Sequence, residues 1–226
     1  MFHKIFAMKK NKLNILARES GLGHKIQERE YFGKIKKNTK IRCAWCSNNL
    51  LYINYHDNEW GVPLHNERLL FEFLILEGAQ AGLSWITILK KRENYRKAFD
   101  NFDYKKISKY NDDDFDRLIV NKGIIRNGLK IKSAIQNAKA FIQVQHEFGS
   151  FDKYIWGFVG GVPMQNKRKS LDDVPAKTKI SEKMSKDLKK RGFKFIGPTI
   201  CYAFMQATGM VNDHILNCYR YRELKK

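Results

Sequence analysis

The sequence of 226 residues predicts an all-α protein. Apolar residues recur at spacings of three and four along several segments, which is the period of an α-helix that buries one face. Short stretches with Gly, Pro, Asn or Ser separate these segments. No segment of useful length alternates apolar with polar residues, as a half-buried β-strand does, and no internal repeat or low-complexity tract is present.

The first two predicted helices follow Asn66 and Ser84, residue types that cap helix N-termini. The helix after Asn66 presents an apolar face formed by Leu69, Leu70, Phe73 and Leu74. We expect Gly78 and Gly82 to break this helix. The helix after Ser84 spans 85–99 and has a strongly basic outer face.

Three more helices are predicted over 112–119, 129–148 and 181–190. An aromatic-rich segment, 151–158, follows the long helix, and the two glycines before Pro163 indicate a turn.

Residues of about 181–209 predict two helices joined by a turn that Gly192 and Gly197 delimit. Pro198 suits the first turn of the second helix, where the exposed backbone amides around Gly197 and Thr199 can hold a phosphate. Lys194 and five other Lys or Arg residues crowd the same region. A plain αα-hairpin with a solvated basic face is the alternative, but the charge density and glycine spacing favour a helix-hairpin-helix element that grips a DNA backbone.

The formal net charge of +20 and the pI near 9.8 indicate a polyanionic partner. Nucleic acid comes first; a membrane is disfavoured because no run approaches the ~18 apolar residues that a spanning helix needs. Residues 1–40 hold eleven Lys or Arg and three Glu, which leaves +12 on the rest. This segment lacks the features of a secretory signal, so we expect a flexible basic extension and a cytoplasmic protein.

Four cysteines without an export signal favour reduced thiols over disulfides. Cys201 lies in an apolar run and is expected in the core. The remaining three, with two histidines, allow two tetrahedral metal sites: one of Cys43, Cys46, His214 and Cys218, the other with His56 in place of Cys46. His214 and Cys218 would share a face if they lie on a helix. Buried thiols and hydrogen-bonded histidines without a metal are the alternative.

Between Ile41 and Tyr219 the chain resembles the 3-methyladenine DNA glycosylase I family. The motifs that carry the resemblance are Arg-Cys-x-Trp from 42, Tyr-His-Asp-Asn-Glu-Trp-Gly-Val-Pro from 55, Leu-Glu-Gly-x-Gln-Ala-Gly-Leu-Ser-Trp from 76, Leu-Lys-Lys-Arg-Glu-Asn-Tyr from 89, Gly-Ile-Ile-Arg-Asn from 123, Lys-Lys-Arg-Gly-Phe-Lys-Phe from 189 and Val-Asn-Asp-His from 211. The resemblance implies a helix-hairpin-helix DNA glycosylase fold over 41–226, with one structural Zn²⁺ on Cys43, His56, His214 and Cys218. The basic extension and the thiol of Cys46 depart from the family pattern.

The resemblance also implies a base pocket. Glu77 is the catalytic carboxylate that recognises the damaged base, Tyr55 is its hydrogen-bonding partner, Trp45 and Trp85 are aromatic walls, and Trp60 supports the pocket from behind. Gly82 and Leu83 belong to a loop that approaches the gap left by the extruded nucleotide. Four tryptophans in a helical protein are more often core residues, and only the family pattern favours the pocket.

The expected activity is hydrolytic, monofunctional excision of 3-methyladenine from double-stranded DNA by a monomer, with no membrane partner. N3-methylation makes adenine a cationic leaving group, so a buried carboxylate suffices and no lyase lysine is evident. Asp213 is expected to be structural and to orient His214. A non-catalytic zinc-stapled DNA-binding module and a glycosylase for another alkylated base, such as 7-methylguanine, are the alternatives.

Overall fold

The structure is a computed structural model that describes residues 40–225, so the expectation for the basic extension lies outside the described residues except at Lys40. The described residues belong to one compact unit. They are mostly helical, which confirms the predicted class. The helices are α1 (Leu50–Asn58), α2 (Glu67–Gln80), α3 (Trp85–Ala98), α4 (Tyr104–Ile107), α5 (Asp112–Ile119), α6 (Gly128–Phe148), α7 (Phe151–Trp156), α8 (Lys179–Lys190), α9 (Pro198–Ala207) and α10 (Tyr219–Glu223).

Helix α2 forms the centre of the core, since residues 70–79 are all buried and the helix packs against α3, α6 and α9. Its start is as predicted, because the side chain of Asn66 accepts the amide of Leu69 at 3.0 Å. Its predicted end is wrong at Gly78, which lies inside the helix. A Cβ on Gly78 would lie 3.3 Å from that of Phe195, so the glycine serves close packing against the turn between α8 and α9.

The sequence analysis did not predict two short strands. Strand β1 (Met164–Gln165) pairs in parallel with β2 (Val211–Asn212), and two residues are too few to show alternation. Helix α1 was also missed because polar residues interrupt its apolar positions.

The turn between α8 and α9 is fastened from both sides. Ser185 on α8 donates to the carbonyl of Ile196 at 2.7 Å. Asn137 on α6 accepts the amide of Lys194 at 2.7 Å and donates to its carbonyl at 3.1 Å. Gly192 has φ +90°, a conformation that favours glycine. The turn is therefore hydrogen-bonded to both α8 and α6.

Among residues 40–225, no helix has the length and apolar character required to cross a bilayer.

Candidate active site and metal centre

Four buried side chains converge at one point: Cys43, His56, His214 and Cys218. Their ligand atoms all lie within 4.8 Å of one another. Sγ of Cys218 is 3.4 Å from Nε2 of His56 and 3.5 Å from Nδ1 of His214, and Sγ of Cys43 is 3.6 Å from the same Nδ1. Two thiols and two imidazoles are a donor set that suits a borderline-soft divalent ion, so the cluster could hold a metal ion.

The chain brings these ligands together from three places. Cys43 precedes a 3₁₀ turn (Ala44–Cys46), and His56 lies on α1. His214 and Cys218 lie in the irregular segment between β2 and α10, so the condition under which they would share a helix face is not met. The strand pairing of β2 and the turn that follows it bring them together instead.

Of the two predicted ligand sets, the structure assembles the one that contains His56. The thiol of Cys46 lies outside the cluster and donates to the carbonyl of Cys43 at 2.9 Å. The contact with the Cys43 thiol contributes most to lowering the pKa of the Cys218 thiol. A thiolate is the form that binds a metal.

Neighbouring groups orient both imidazoles. Nδ1 of His56 lies 2.8 Å from Asp57, whose carboxylate accepts two hydrogen bonds from Arg42. Nε2 of His214 lies 3.1 Å from the backbone carbonyl of Trp60. If these outer nitrogens are the protonated ones, the inner nitrogens face the cluster with free lone pairs.

Asp213 does not take the predicted orienting role. It is buried, and its carboxylate accepts hydrogen bonds from Asn166, Arg168, Tyr202 and Gln206. Asp213 thus links α9 to the segment after β1. The carboxylate beside a ligand histidine is Asp57, which neighbours His56 in the chain.

Glu77 lies near the end of α2 and is 3% exposed. Its Oε2 atom is buried and has no hydrogen-bond partner in the described structure. Burial raises the pKa of its carboxyl group to about 8. A buried carboxyl group without a hydrogen-bond partner destabilises the folded protein. Such a group suits a ligand that supplies the missing hydrogen-bond partner.

Aromatic rings surround the buried Tyr55. The ring centroids of Trp45 and Trp85 lie 6.2 and 5.4 Å from that of Tyr55. The indole N–H groups of both tryptophans are buried without a partner, as is Oε2 of Glu77. The pKa of Tyr55 is raised by burial and, next in size, by the nearby charge of Glu77. Trp60 packs 5.1 Å from Trp45 and 4.6 Å from His214, between the aromatic group and the cysteine–histidine cluster.

A family model described as methyladenine glycosylase matches residues 45–221, well over half of the chain. The chain belongs to the methyladenine glycosylase family. The resemblance that the sequence motifs indicate is thereby confirmed.

Individual relatives agree with this assignment. DNA-3-methyladenine glycosylase 1 of Escherichia coli (strain K12) is 51% identical over 180 residues, which are 80% of this chain and 96% of that protein. A crystal structure of a 3-methyladenine DNA glycosylase I is similar with a TM-score of 0.78 at 53% identity, covering 79% of this chain and 98% of that one. Another, a Tyr-to-Phe variant in complex with 3-methyladenine, has a TM-score of 0.77 at 35% identity and covers 79% and 96%.

Two segments of the chain present the residues that the sequence predicts to contact DNA. Gly82 and Leu83 lie in the exposed loop between α2 and α3, where Gly82 has φ +81°. Lys194 in the α8–α9 turn and Thr199 in the first turn of α9 are exposed, and Gly197 precedes α9 without a side-chain cap on the helix N-terminus. The backbone amides there can donate hydrogen bonds to a phosphate.

Sequence reasoning missed three residues that support the site. Asp57 orients His56, Tyr52 accepts the amide of Ile86 at 2.9 Å through its hydroxyl, and Lys130 binds the end of α2. Asp57 could have been found because it follows His56, a predicted ligand. The other two act across long stretches of chain, and no local pattern indicates them.

Proposed function

We propose that this protein is a DNA glycosylase that extrudes 3-methyladenine from alkylated double-stranded DNA and hydrolyses its glycosidic bond. The observation that carries the proposal is Glu77, a buried carboxyl with an unpartnered oxygen beside Tyr55. Family membership and the relatives' names supply the reaction and the base. The α8–α9 pair and its turn then act as the helix-hairpin-helix element of a glycosylase fold.

Glu77 selects the base by charge. N3-methylated adenine in DNA is cationic, and its charge stabilises the ionised carboxylate that burial otherwise disfavours. A neutral adenine offers no such compensation and would leave Glu77 protonated. The hydroxyl of Tyr55 and the indoles of Trp45 and Trp85 complete the pocket, where stacking offsets part of the cost of extrusion.

The cationic base is already a good leaving group, so cleavage needs no strong general acid. The transition state is oxocarbenium-like, and water attacks the anomeric carbon. The bond electrons leave with the base, which becomes neutral, so the negative charge of Glu77 favours binding of the cationic base and stabilises the positive charge that then builds up on the sugar. The attacking water gives up its proton to solvent. No lysine of the described residues is placed as a lyase nucleophile in this scheme, so the enzyme is monofunctional.

The DNA duplex is held mainly through its phosphates. The amides at Gly197 and Thr199 receive a phosphate at the N-terminus of α9, and Gly192 and Lys194 shape and charge the turn. Leu83, at the exposed tip beside Gly82, enters the space that the extruded nucleotide leaves. The high positive charge supports binding without sequence preference.

The metal of the cysteine–histidine cluster is, in this proposal, one structural Zn²⁺. A tetrahedral zinc ion with ordinary bond lengths separates a thiolate sulfur from an imidazole nitrogen by about 3.6 Å. The closest sulfur–nitrogen distances in the cluster, 3.4 to 3.6 Å, fit this value. Four protein ligands leave no open position, so the ion stabilises the fold and takes no part in hydrolysis. A monomer in the cytoplasm, where thiols stay reduced, completes the proposal.

Base release tests the function. Wild-type protein and the Glu77→Gln variant are incubated with methylated duplex DNA, and the released bases are separated by chromatography. We expect 3-methyladenine from the wild type and a rate at least about 100-fold lower from the variant, with unchanged affinity for undamaged duplex. Glu93→Gln, at an exposed glutamate of α3, is the matched control and should behave as wild type.

The alternatives predict other results. A non-catalytic DNA-binding module releases no base and is indifferent to Glu77→Gln. A glycosylase with another preference releases 7-methylguanine in place of 3-methyladenine. Either pattern, from folded and metal-loaded protein, contradicts the proposal.

A further inference from the structure

Lys130 makes an unusual contact at the end of the helix that carries Glu77. From the first turn of α6, its Nζ donates to the carbonyl of Ala79 at 2.8 Å and to that of Ala81 at 2.7 Å. Ala79 lies in the last turn of α2, where carbonyl groups lack helical partners and the helix dipole favours a cation. Burial lowers the pKa of Lys130, as expected for an ammonium group drawn out of water to make this contact.

This contact also fixes the loop that leaves α2. Within the described residues, no other side chain hydrogen-bonds to the backbone of 79–83. The amide of Leu83 donates to the carbonyl of Gln80 at 2.6 Å, but the tip makes few other contacts: a Cβ on Gly82 would meet no atom within 4 Å, and Leu83 is 37% exposed. Among the described residues, Lys130 is therefore the side chain that ties the backbone at the start of this loop to another helix.

We propose that Lys130 is a positioning residue that holds the loop of Gly82 and Leu83, at a set distance from Glu77, in the shape that enters the gap left by the extruded nucleotide. The proposal rests on the function proposed above. Because Lys130 acts on the loop and not on the base pocket, its removal should impair the handling of duplex DNA while leaving recognition of the free base intact.

The test uses full-length, metal-loaded protein with Lys130→Met, which removes the charge and the donors but keeps most of the aliphatic stem. Lys139→Met, at an exposed lysine of the same helix, is the control for losing one positive charge. Three quantities are measured: kcat/KM for 3-methyladenine release from methylated duplex, Kd of free 3-methyladenine by tryptophan fluorescence, and the ratio of affinities for a duplex with a tetrahydrofuran abasic site over an intact duplex.

For Lys130→Met we expect kcat/KM to fall at least about tenfold, because a misplaced loop no longer supports the extruded state. The abasic preference should fall with it, and the Kd of the free base should stay unchanged. Lys139→Met should lower the affinity for the abasic duplex and for the intact duplex by the same factor. The ratio of the two affinities should stay as in the wild type.

Full activity and full abasic preference in Lys130→Met would overturn the inference. So would a parallel loss of affinity for free 3-methyladenine, since that result assigns Lys130 to the pocket or to overall folding. A wild-type protein that releases no base overturns the proposed function, and this inference with it, whereas an active wild type beside an undamaged variant overturns the inference alone.

Discussion

Glu77 is an acid on the most buried helix of the described fold, and its Oε2 atom has no internal partner. Removing a carboxyl group from water favours its neutral form, which is why its pKa rises to about 8. Glu77 thus lowers the free energy of unfolding at any pH at which its carboxyl group would be ionised in the unfolded chain. In enzymes, residues that recognise a ligand often lower the stability of the fold.

The pH dependence of stability follows from this pKa. The unfolded carboxyl ionises near 4.5 while the folded one keeps its proton up to about 8, so the unfolded state loses its proton first. The free energy of unfolding should therefore fall between pH 4.5 and 8, by up to a few kcal/mol at about 1.4 kcal/mol per pKa unit. Glu77→Gln, which does not titrate, should match the wild type near pH 4.5 and exceed it at pH 8.

Thermal or urea unfolding between pH 4.5 and 8.5 measures this difference. Glu93→Gln, at an exposed position, serves as the control and should show no such growing gap. A difference between Glu77→Gln and wild type that stays constant across the range would contradict the raised pKa.

At the scale of elements, the turn between α8 and α9 is a rigid unit because α6 holds it. The side chain of Asn137 makes two hydrogen bonds to the backbone of Lys194, in the manner of a neighbouring strand. The amides proposed to bind phosphate are thus positioned by a helix that is remote in sequence. Preorganisation of this kind lowers the entropy that binding would otherwise cost.

Asn137→Ala should loosen this unit. We expect the free energy of unfolding to fall by about 1–3 kcal/mol, because the amide and carbonyl of Lys194 lose their partners in a partly buried place. Affinity for undamaged duplex should fall as well. Gln143→Ala, at an exposed position of α6, should change neither quantity. If Asn137→Ala lowers stability but leaves the affinity for DNA unchanged, the proposal that this turn binds DNA is contradicted.

For the whole molecule, the cysteine–histidine cluster joins parts of the chain that are far apart, since Cys43 and His214 are separated by 171 residues. A metal that binds only the folded state stabilises it by mass action, by about 4 kcal/mol when its free concentration is 1,000 times Kd. We expect a strong chelator to lower the melting temperature, and elemental analysis to find one zinc per chain.

Cys218→Ala should remove both the bound zinc and the sensitivity to chelator. Cys46→Ala should keep both, because that thiol lies outside the cluster. Zinc retained in Cys218→Ala, or lost in Cys46→Ala, would contradict the ligand assignment.

The sequence by itself determined the helical class, most helix positions and the family. Helical periodicity and N-terminal caps such as Asn66 depend on residues that are close in the chain, so they can be recognised from the sequence alone. The motifs around Tyr55 and Glu77 are equally local, and the family match confirms the family that they indicate. The residue types of the metal site were also readable, because thiols and imidazoles are few.

Tertiary structure alone decided which groups meet. Spacing could not choose between Cys46 and His56, since both lie near Cys43 in the chain and only folding moves one of them into the cluster. The separation of His214 and Cys218 would suit one face of a helix, but the pairing of β2 and the turn after it set their geometry. The contacts of Lys130 with the end of α2 arise from packing between distant elements, and such contacts leave no trace in local sequence.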